Sequence, residues 1–343
     1  MNSRKIMNCI SILMIDILLT IPATAQKIVR KINKTIQHEM VYQDMMYLAS
    51  DALKGRKPGE PGNTLAAEYI ANEFKKAGLI PVPGMKDYFQ VVPMHSRDGS
   101  RNFDAMNVIG MIPGRKIMDQ YILLTAHLDH IGVNHNVKDA NDSIWNGARD
   151  NAWGVTSLLV AARMLNKCIP DRSILIAAVN GEEMGLVGSR FLAANPVLPW
   201  NQVKFDLNTD GAGYNDTTIV SILGLHRVGA EDEITHACKT FGLQTYADPA
   251  PEQGLFDRSD NVSFAMLGIP SPTFSSGFKS FDSEIYKYYH QVSDNPESIN
   301  FNYLLRFCKA FTLAAYNVAN KKELPKWSEG DKYEKAAKKL YNY

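Results

Sequence analysis

Residues 173–179, Ser-Ile-Leu-Ile-Ala-Ala-Val, form an unbroken run of small and apolar side chains. A strand with one face in solvent alternates apolar with polar residues, whereas a run of this kind belongs to a strand covered on both faces. A chain containing it therefore needs helices on either side of a sheet. Asn180-Gly181-Glu182-Glu183-Met184-Gly185 follows directly, so two adjacent acids stand at the carboxyl end of a core strand, the edge where open α/β sheets gather their ligands. Side by side on a turn, two carboxylates point in different directions. One is then free to bind a metal ion while the other accepts a proton from a water molecule activated nearby. A solvated acidic turn is the plainer account of the same residues.

Other short β-rich runs fall at 89–94, 106–112, 121–126, 204–208, 218–223 and 271–274. Helical spacing of apolar residues marks 28–53, 64–77, 154–165, 231–241 and 303–317, with Gly78 closing the second stretch. The alternation predicts an α/β fold, a mixed and largely parallel central sheet covered by helices on both faces. No internal repeat, low-complexity tract or Pro/Ser-rich linker divides residues 28–322, which read as one domain. Residues 323–343 carry Pro325, Gly330 and a Lys-rich amphipathic end, the pattern of a charged C-terminal tail or peripheral helix.

At the other terminus Arg4 and Lys5 precede an apolar run from Ile6 to Ile21, followed by Ala23-Thr24-Ala25. This is the layout of a signal peptide over residues 1–25, and it predicts an exported protein, periplasmic or extracellular. No later segment reaches the roughly 20 apolar residues that span a bilayer, so no membrane association is expected once the signal is cleaved. Taking Arg4, Lys5 and Asp16 from the 37 basic and 36 acidic residues leaves a formally neutral chain, which gives no electrostatic case for nucleic acid or an anionic membrane. Cys168, Cys238 and Cys308 remain, an odd set without Cys-x-x-Cys spacing, and imply no disulfide framework.

Four further clusters carry possible chemistry. Thr125-Ala126-His127-Leu128-Asp129-His130 stands where the strand predicted at 121–126 runs out, and a carboxylate two residues after His127 suits an acceptor for the second imidazole nitrogen. A strand-end histidine satisfied by hydrogen bonds explains His127 as well, and His130 and His135 compete for a ligand role. Asp150, in Asn146-Gly147-Ala148-Arg149-Asp150-Asn151-Ala152-Trp153-Gly154, opens a helix; taken alone it is more simply an N-cap. Asp210 ends another strand-like run in Leu207-Asn208-Thr209-Asp210-Gly211, where a turn fits equally. His290, in Tyr288-Tyr289-His290-Gln291-Val292-Ser293-Asp294, reads alone as a surface histidine. Jointly the order His, Asp, Glu-Glu, Asp, His points to metal. His and carboxylate donors suit zinc better than magnesium or calcium, which take all-oxygen shells, and five donors suit two ions.

These motifs resemble metallopeptidase family 28, the secreted di-zinc aminopeptidases related to bacterial leucyl aminopeptidase and to glutamate carboxypeptidase. The likeness runs over residues 41–322 and also takes in Leu48-Ala49-Ser50-Asp51-Ala52-Leu53-Lys54-Gly55-Arg56, Phe74-Lys75-Lys76-Ala77-Gly78-Leu79 and Glu182-Glu183-Met184-Gly185-Leu186-Val187-Gly188-Ser189. The resemblance implies the zinc-exopeptidase fold, of phosphorylase/hydrolase-like type. It also implies one zinc on His127 and Asp210, a second on Glu183 and His290, and Asp150 bridging them. Glu182 becomes the general base, Asp129 the group that orients His127, and Asp150-Asn151 an often cis peptide. The implied activity is that of a metallo-aminopeptidase acting on peptide substrates. Glutaminyl cyclase, with one zinc on the same fold, is the enzymatic alternative, and a non-catalytic receptor-like homologue the other. The chain departs from relatives at Asn261, where histidine is frequent, and carries no long insertion between Asp150 and Asp210, so a compact single-domain member is expected. Aromatic residues Phe256, Phe278, Phe281 and Tyr286 lie in loops that suit a pocket wall or ordinary packing. There is no Gly-x-Ser-x-Gly elbow, His-Glu-x-x-His helix or phosphate-binding glycine loop.

Overall fold

The computed structural model describes residues 23–134 and 142–342. Its strands are β1 (Phe89–His95), β2 (Asn102–Ile112), β3 (Ile117–His127), the short pair β4 (Gly132–Val133) and β5 (Ile144–Trp145), β6 (Arg172–Val179), β7 (Val203–Asn208), β8 (Ile219–Leu223), β9 (Gln244–Ala247) and β10 (Thr273–Ser276). The helices are α1 (Ala23–Thr35), α2 (His38–Leu48), α3 (Pro61–Ala77), α4 (Trp153–Lys167), α5 (Val187–Ala194), α6 (Glu231–Thr240), α7 (Asn261–Ala265), α8 (Ser283–Tyr286), α9 (Phe301–Asn320) and α10 (Glu334–Tyr341). Eight strands form one sheet in the order β1-β2-β6-β3-β7-β10-β8-β9. Its centre, β6-β3-β7-β10, is parallel; β1, β2 and β6 pair antiparallel, as do β10 and β8, and β9 joins β8 in parallel. The mixed, largely parallel sheet expected from the sequence is thus the one found.

Every residue of β6 is buried, and the two-residue period of a strand assigns its side chains to two different cores. Ile174, Ile176 and Ala178 pack with Ile122, Leu124 and Ala126 of β3 against the face covered by α2, α3, α4, α6 and α9. Leu175, Ala177 and Val179 turn the other way with Leu123, toward Leu192 of α5, Trp200 and Phe264 of α7.

The helical stretch read at 28–53 is three pieces. Gln37 is extended (φ −112°, ψ 158°) and its side-chain amide donates to the carbonyls of Asn33 and Lys34, ending α1; a 3-10 stretch from Asp51 to Arg56 follows α2. Strand β9 escaped the sequence because it is an edge of four half-exposed residues. The proposed signal lies almost wholly outside the described residues, as does His135; among the described residues no helix is long and apolar enough to cross a membrane. Beyond residue 322, Trp327 is buried against Phe256 and Tyr333, its indole N–H donates to the Gly268 carbonyl at 2.9 Å, and α10 packs Ala337 into the core.

Arg56 ties the sheet to the loops above it. Its buried guanidinium donates to the carbonyls of Leu48 (2.5 Å), Leu128 (2.9 Å), Asn146 (2.6 Å) and Gly147 (2.9 Å), four groups from three separate segments. Burial draws it down to about 10, opposed by the carboxylates of Asp129, Asp150, Asp294 and Glu183. Arg56→Met strands these buried acceptors and should destabilise the protein by roughly 3–5 kcal/mol in urea unfolding. Arg56→Lys should recover little of this, because an ammonium lacks the planar fork; a loss below about 1 kcal/mol in both variants would make the fork dispensable. Trp327→Ala should cost about 3–5 kcal/mol by the same measurement if the C-terminal segment belongs to the cooperative fold, whereas an unchanged midpoint would make it an appendage.

Candidate metal centre

Parallel pairing sets three strand ends level. His127, the last residue of β3, is in register with Val179 of β6, and Thr125 with Asn208 of β7. The residues that leave these ends, Glu182, Glu183 and Asp210, therefore meet His127 along one edge of the sheet. Asp129 fixes the Glu182-Glu183 turn: its carboxylate accepts the backbone N–H of Glu182 at 3.1 Å and of Glu183 at 3.3 Å. The expected bond from Asp129 to the His127 imidazole is a looser contact. His127 Nδ1 lies 3.2 Å from the backbone carbonyl of Asp129 and 3.7 Å from its Oδ1, because the carboxylate is turned toward the Glu182-Glu183 backbone.

Asp150 stands between the two halves of the site. Its Oδ1 is 3.2 Å from Nε2 of His127, which is also 3.4 Å from Asp210 Oδ1. Its Oδ2 is 3.1 Å from Nε2 of His290, which is also 3.3 Å from Glu183 Oε2. Asp150 does not cap α4, whose N-cap is Ala152; the Gly154 N–H in the first turn is accepted by Asn151 Oδ1 at 2.9 Å. The Asp150-Asn151 peptide is cis. Gly147, at φ 58°, admits the turn that brings Asp150 in; a Cβ there would meet the Asp150 carbonyl at 2.2 Å.

His290 reaches the site from a loop, in a left-handed conformation (φ 56°) and with its ring stacked on Tyr289 at 4.1 Å. Four residues on, buried Asp294 accepts the backbone N–H groups of Arg149 (3.0 Å) and Asp150 (3.2 Å) and the Arg149 guanidinium (3.0 Å). The loop that delivers His290 is thereby fixed to the loop that delivers Asp150. Sequence reasoning gave neither Asp294 nor Arg56 a role, although both fall inside motifs it singled out; an arginine after Lys54-Gly55 and an aspartate before Asn295-Pro296 were the available signals.

The acidic groups differ sharply in proton affinity. Burial, reinforced by Asp210, Asp260 and Glu183 and opposed by His127, pushes the Glu182 carboxyl up to about 10. Burial and Asp150 act in the same upward direction on Glu183, but the adjacent imidazoles of His130 and His290 hold it down at about 2. Burial works against protonation of His290, yet Asp150 and Glu183 raise it to about 10. Asp150 is held low against its own burial by His127 and His290.

Two sets of residues bring one potential ligand atom each within 4.8 Å of one another, His127 with Asp150 and Asp210, and His130 with Asp150 and Glu183. Buried carboxylates concentrated in this way need cationic partners, and mixed imidazole and carboxylate donors fit zinc. Asp260 is buried with both oxygens lacking a hydrogen-bond partner among the described residues, while Asn261 donates to the Phe256 and Ser271 carbonyls as a structural link. The pocket beside the centre is lined by Asp150, Glu182, Glu183, Asp210 and His290, and across from them by Leu223, Leu255, Phe278, Phe281 and Tyr289. Of the four loop aromatics noted in the sequence, Phe278 and Phe281 line it. Phe256 packs on Trp327, and Tyr286 is exposed beside Phe281.

Among proteins of known name, the chain is 26% identical to aminopeptidase YwaD of Bacillus subtilis strain 168, over 66% of this chain and 47% of that protein. It is 27% identical to a probable leucine aminopeptidase of Arthroderma otae, over 61% of this chain and 56% of the relative. The chain thus spans about half the length of the curated relatives it matches. Among solved structures, a Zn-dependent exopeptidase from Parabacteroides distasonis matches 82% of this chain and 98% of its own, with a TM-score of 0.65 at 20% identity. A glutaminyl cyclase from Bacteroides thetaiotaomicron matches the same shares with a TM-score of 0.62 at 19% identity. These likenesses establish the α/β exopeptidase fold. The family model for peptidase family M28 matches residues 107–315, more than half of the chain and nearly all of the site just described, and the chain belongs to that family.

Proposed function

We propose that this chain is a zinc-dependent exopeptidase, an aminopeptidase that hydrolyses the N-terminal peptide bond of peptides. Two zinc ions per chain are assigned, one to His127 and Asp210, the other to Glu183 and His290, with Asp150 shared. The observation that carries this reading is the division of Asp150, Oδ1 facing His127 and Oδ2 facing His290. A carboxylate whose oxygens face two separate donor sets is arranged to link two cations. When bound, the ions supply Lewis acidity for the peptide carbonyl and lower the pKa of water.

Glu182 serves as the general base. It lines the pocket and is aimed by its backbone bond to Asp129, so its carboxylate would take a proton from the attacking water and return it to the leaving amine. Leu223, Leu255, Phe278 and Phe281 offer apolar space for the first side chain. Residues 28–322 form the catalytic domain in this reading, and the signal read at residues 1–25 sends it to the periplasm or cell exterior.

Glu182→Gln should keep both ions by metal analysis and lose about 10²–10⁴-fold in turnover of aminoacyl chromogenic substrates; near-normal turnover would remove Glu182 from the chemistry. Chelation should abolish activity and added zinc should restore it, so activity indifferent to a chelator would sink the metal reading. Structural likeness to glutaminyl cyclases keeps a one-ion reading in view. Two ions with release of a free amino acid fit the peptidase, one ion with release of ammonia fits the cyclase.

A further inference from the structure

His130 follows His127 by three residues, and nothing in the proposed chemistry employs it. Its imidazole is fully buried, with Nδ1 2.8 Å from Glu183 Oε1 and 4.0 Å from Asp150 Oδ2. It stands edge-on to His290, ring centroids 5.7 Å apart. The backbone makes room for it: a Cβ at Gly147 would strike the His130 ring at 2.6 Å.

Neither ring nitrogen of His130, nor Glu183 Oε1, has a hydrogen-bond partner among the described residues. Both the N–H and the lone pair of an imidazole nitrogen lie in the ring plane. The 2.8 Å contact brings nitrogen and oxygen together without meeting the geometry of a hydrogen bond. Leaving such buried groups unsatisfied is costly, and native interiors seldom do it. Two donors on one cation meet these conditions, because each aims its lone pair at the ion and not at the other. Ligand atoms about 2.0–2.2 Å from a shared zinc lie roughly 2.8–4.2 Å from one another, from adjacent to nearly opposite positions. Four of the six pairs among His130, His290, Asp150 and Glu183 lie at 2.8, 3.1, 3.3 and 4.0 Å, with His130 facing Oε1 and His290 facing Oε2 of Glu183, and His130, Asp150 and Glu183 each bring one ligand atom within 4.8 Å of the others.

We propose that His130, through Nδ1, is a further ligand of the cation held by Glu183, His290 and Asp150. This rests on the reading of the site as a metal centre. The two halves then differ in kind. One has two imidazoles and two carboxylates and is closed by protein donors; the other, His127, Asp150 and Asp210, has three donors and keeps an open position. The four-donor half retains its ion longer, and its second nitrogen donor shifts preference toward zinc, cobalt or copper and away from magnesium and calcium.

The test uses the full mature chain loaded with zinc. In the wild type, chelator titration followed by metal analysis should remove the ions in two separated stages. X-ray absorption should count three imidazoles for two zincs, and two imidazoles for the ion that remains after the first stage. His130→Ala should weaken one ion by about 100-fold or more, beyond the usual cost of losing an outer hydrogen-bond partner, and merge the stages. His130→Asn keeps an N–H donor at the Nδ1 position without an imidazole ligand, so it should behave like His130→Ala. Two imidazoles for two zincs in the wild type would overturn the inference without any variant. So would unchanged zinc affinity in His130→Ala, or rescue by His130→Asn, which would make His130 a hydrogen-bond donor that positions Glu183. A wild type that binds no divalent ion would overturn the metal centre itself and this inference with it, whereas two bound ions and peptidase activity with an indifferent His130→Ala would remove only the latter.

Discussion

Negative charge confined at one edge of a parallel sheet is the constraint on which the rest of this structure depends. Asp129, Asp150 and Glu183 are buried or nearly so, and Asp210 and Glu182 join them within the same few ångströms. Taken out of water without partners, such groups repel one another and protonate. The protein answers differently for each. Asp129 gives its oxygens to backbone N–H groups, Asp150 and Glu183 are held ionised by imidazoles, and burial outweighs His127 at Glu182 and pushes its carboxyl up. Two neighbouring acids in the sequence thereby acquire opposite shifts in proton affinity.

Holding that charge in place requires a scaffold that belongs to no single element. The sheet sets the level of His127, Glu183 and Asp210 through strand register, but Asp150 and His290 come from loops, and loops drift unless their backbone groups are bound. Asp294 fixes the Arg149-Asp150 backbone to the His290 loop, and Arg149 is further held over the Tyr288 ring, 3.6 Å from its centroid. Arg56 performs the corresponding task from the opposite side, binding the carbonyls of Asn146 and Gly147 to that of Leu128. A fixed network of this sort keeps donor atoms at ligand spacing before any ion arrives, which is what preorganisation of a metal site means in physical terms.

Some of this was legible in the sequence because periodicity and chemistry agreed. The run at residues 173–179 could only be a doubly covered strand, and acids after such a strand have few structural uses; β6 and the Glu182-Glu183 turn follow directly. His127 was legible for the same reason, standing at the end of β3. Asp150 was legible only through the order of the motifs and the family resemblance, since alone its position before α4 suited a cap; in the structure Asn151, not Asp150, accepts the Gly154 N–H. His290 was invisible as a single residue because its reach depends on a left-handed backbone in a loop. Arg56 and Asp294 bind main-chain groups, and main-chain groups leave no trace in residue type. The break at Gln37 was hidden likewise, since apolar spacing continues across it while the backbone does not.

The two walls of the pocket also explain why charge and specificity do not compete here. The proposed ligands and base come from the carboxyl ends of β3, β6 and β7 and from the loops at Asp150 and His290, whereas Leu223 ends β8, Leu255 follows β9, and Phe278 and Phe281 follow β10. Leu223 and Leu255 can change size without moving a proposed donor atom, because no proposed ligand shares their connections, whereas Phe278 and Phe281 lie on the connection after β10 that also carries His290. Tyr289 is the tightest link: it lines the pocket, its ring stacks on His290, and it meets Phe281 edge-on. Under the proposed function, substitution there would alter a ligand and the wall together, so the chemistry of the centre and the choice of first residue are coupled along this connection and separable at Leu223 and Leu255.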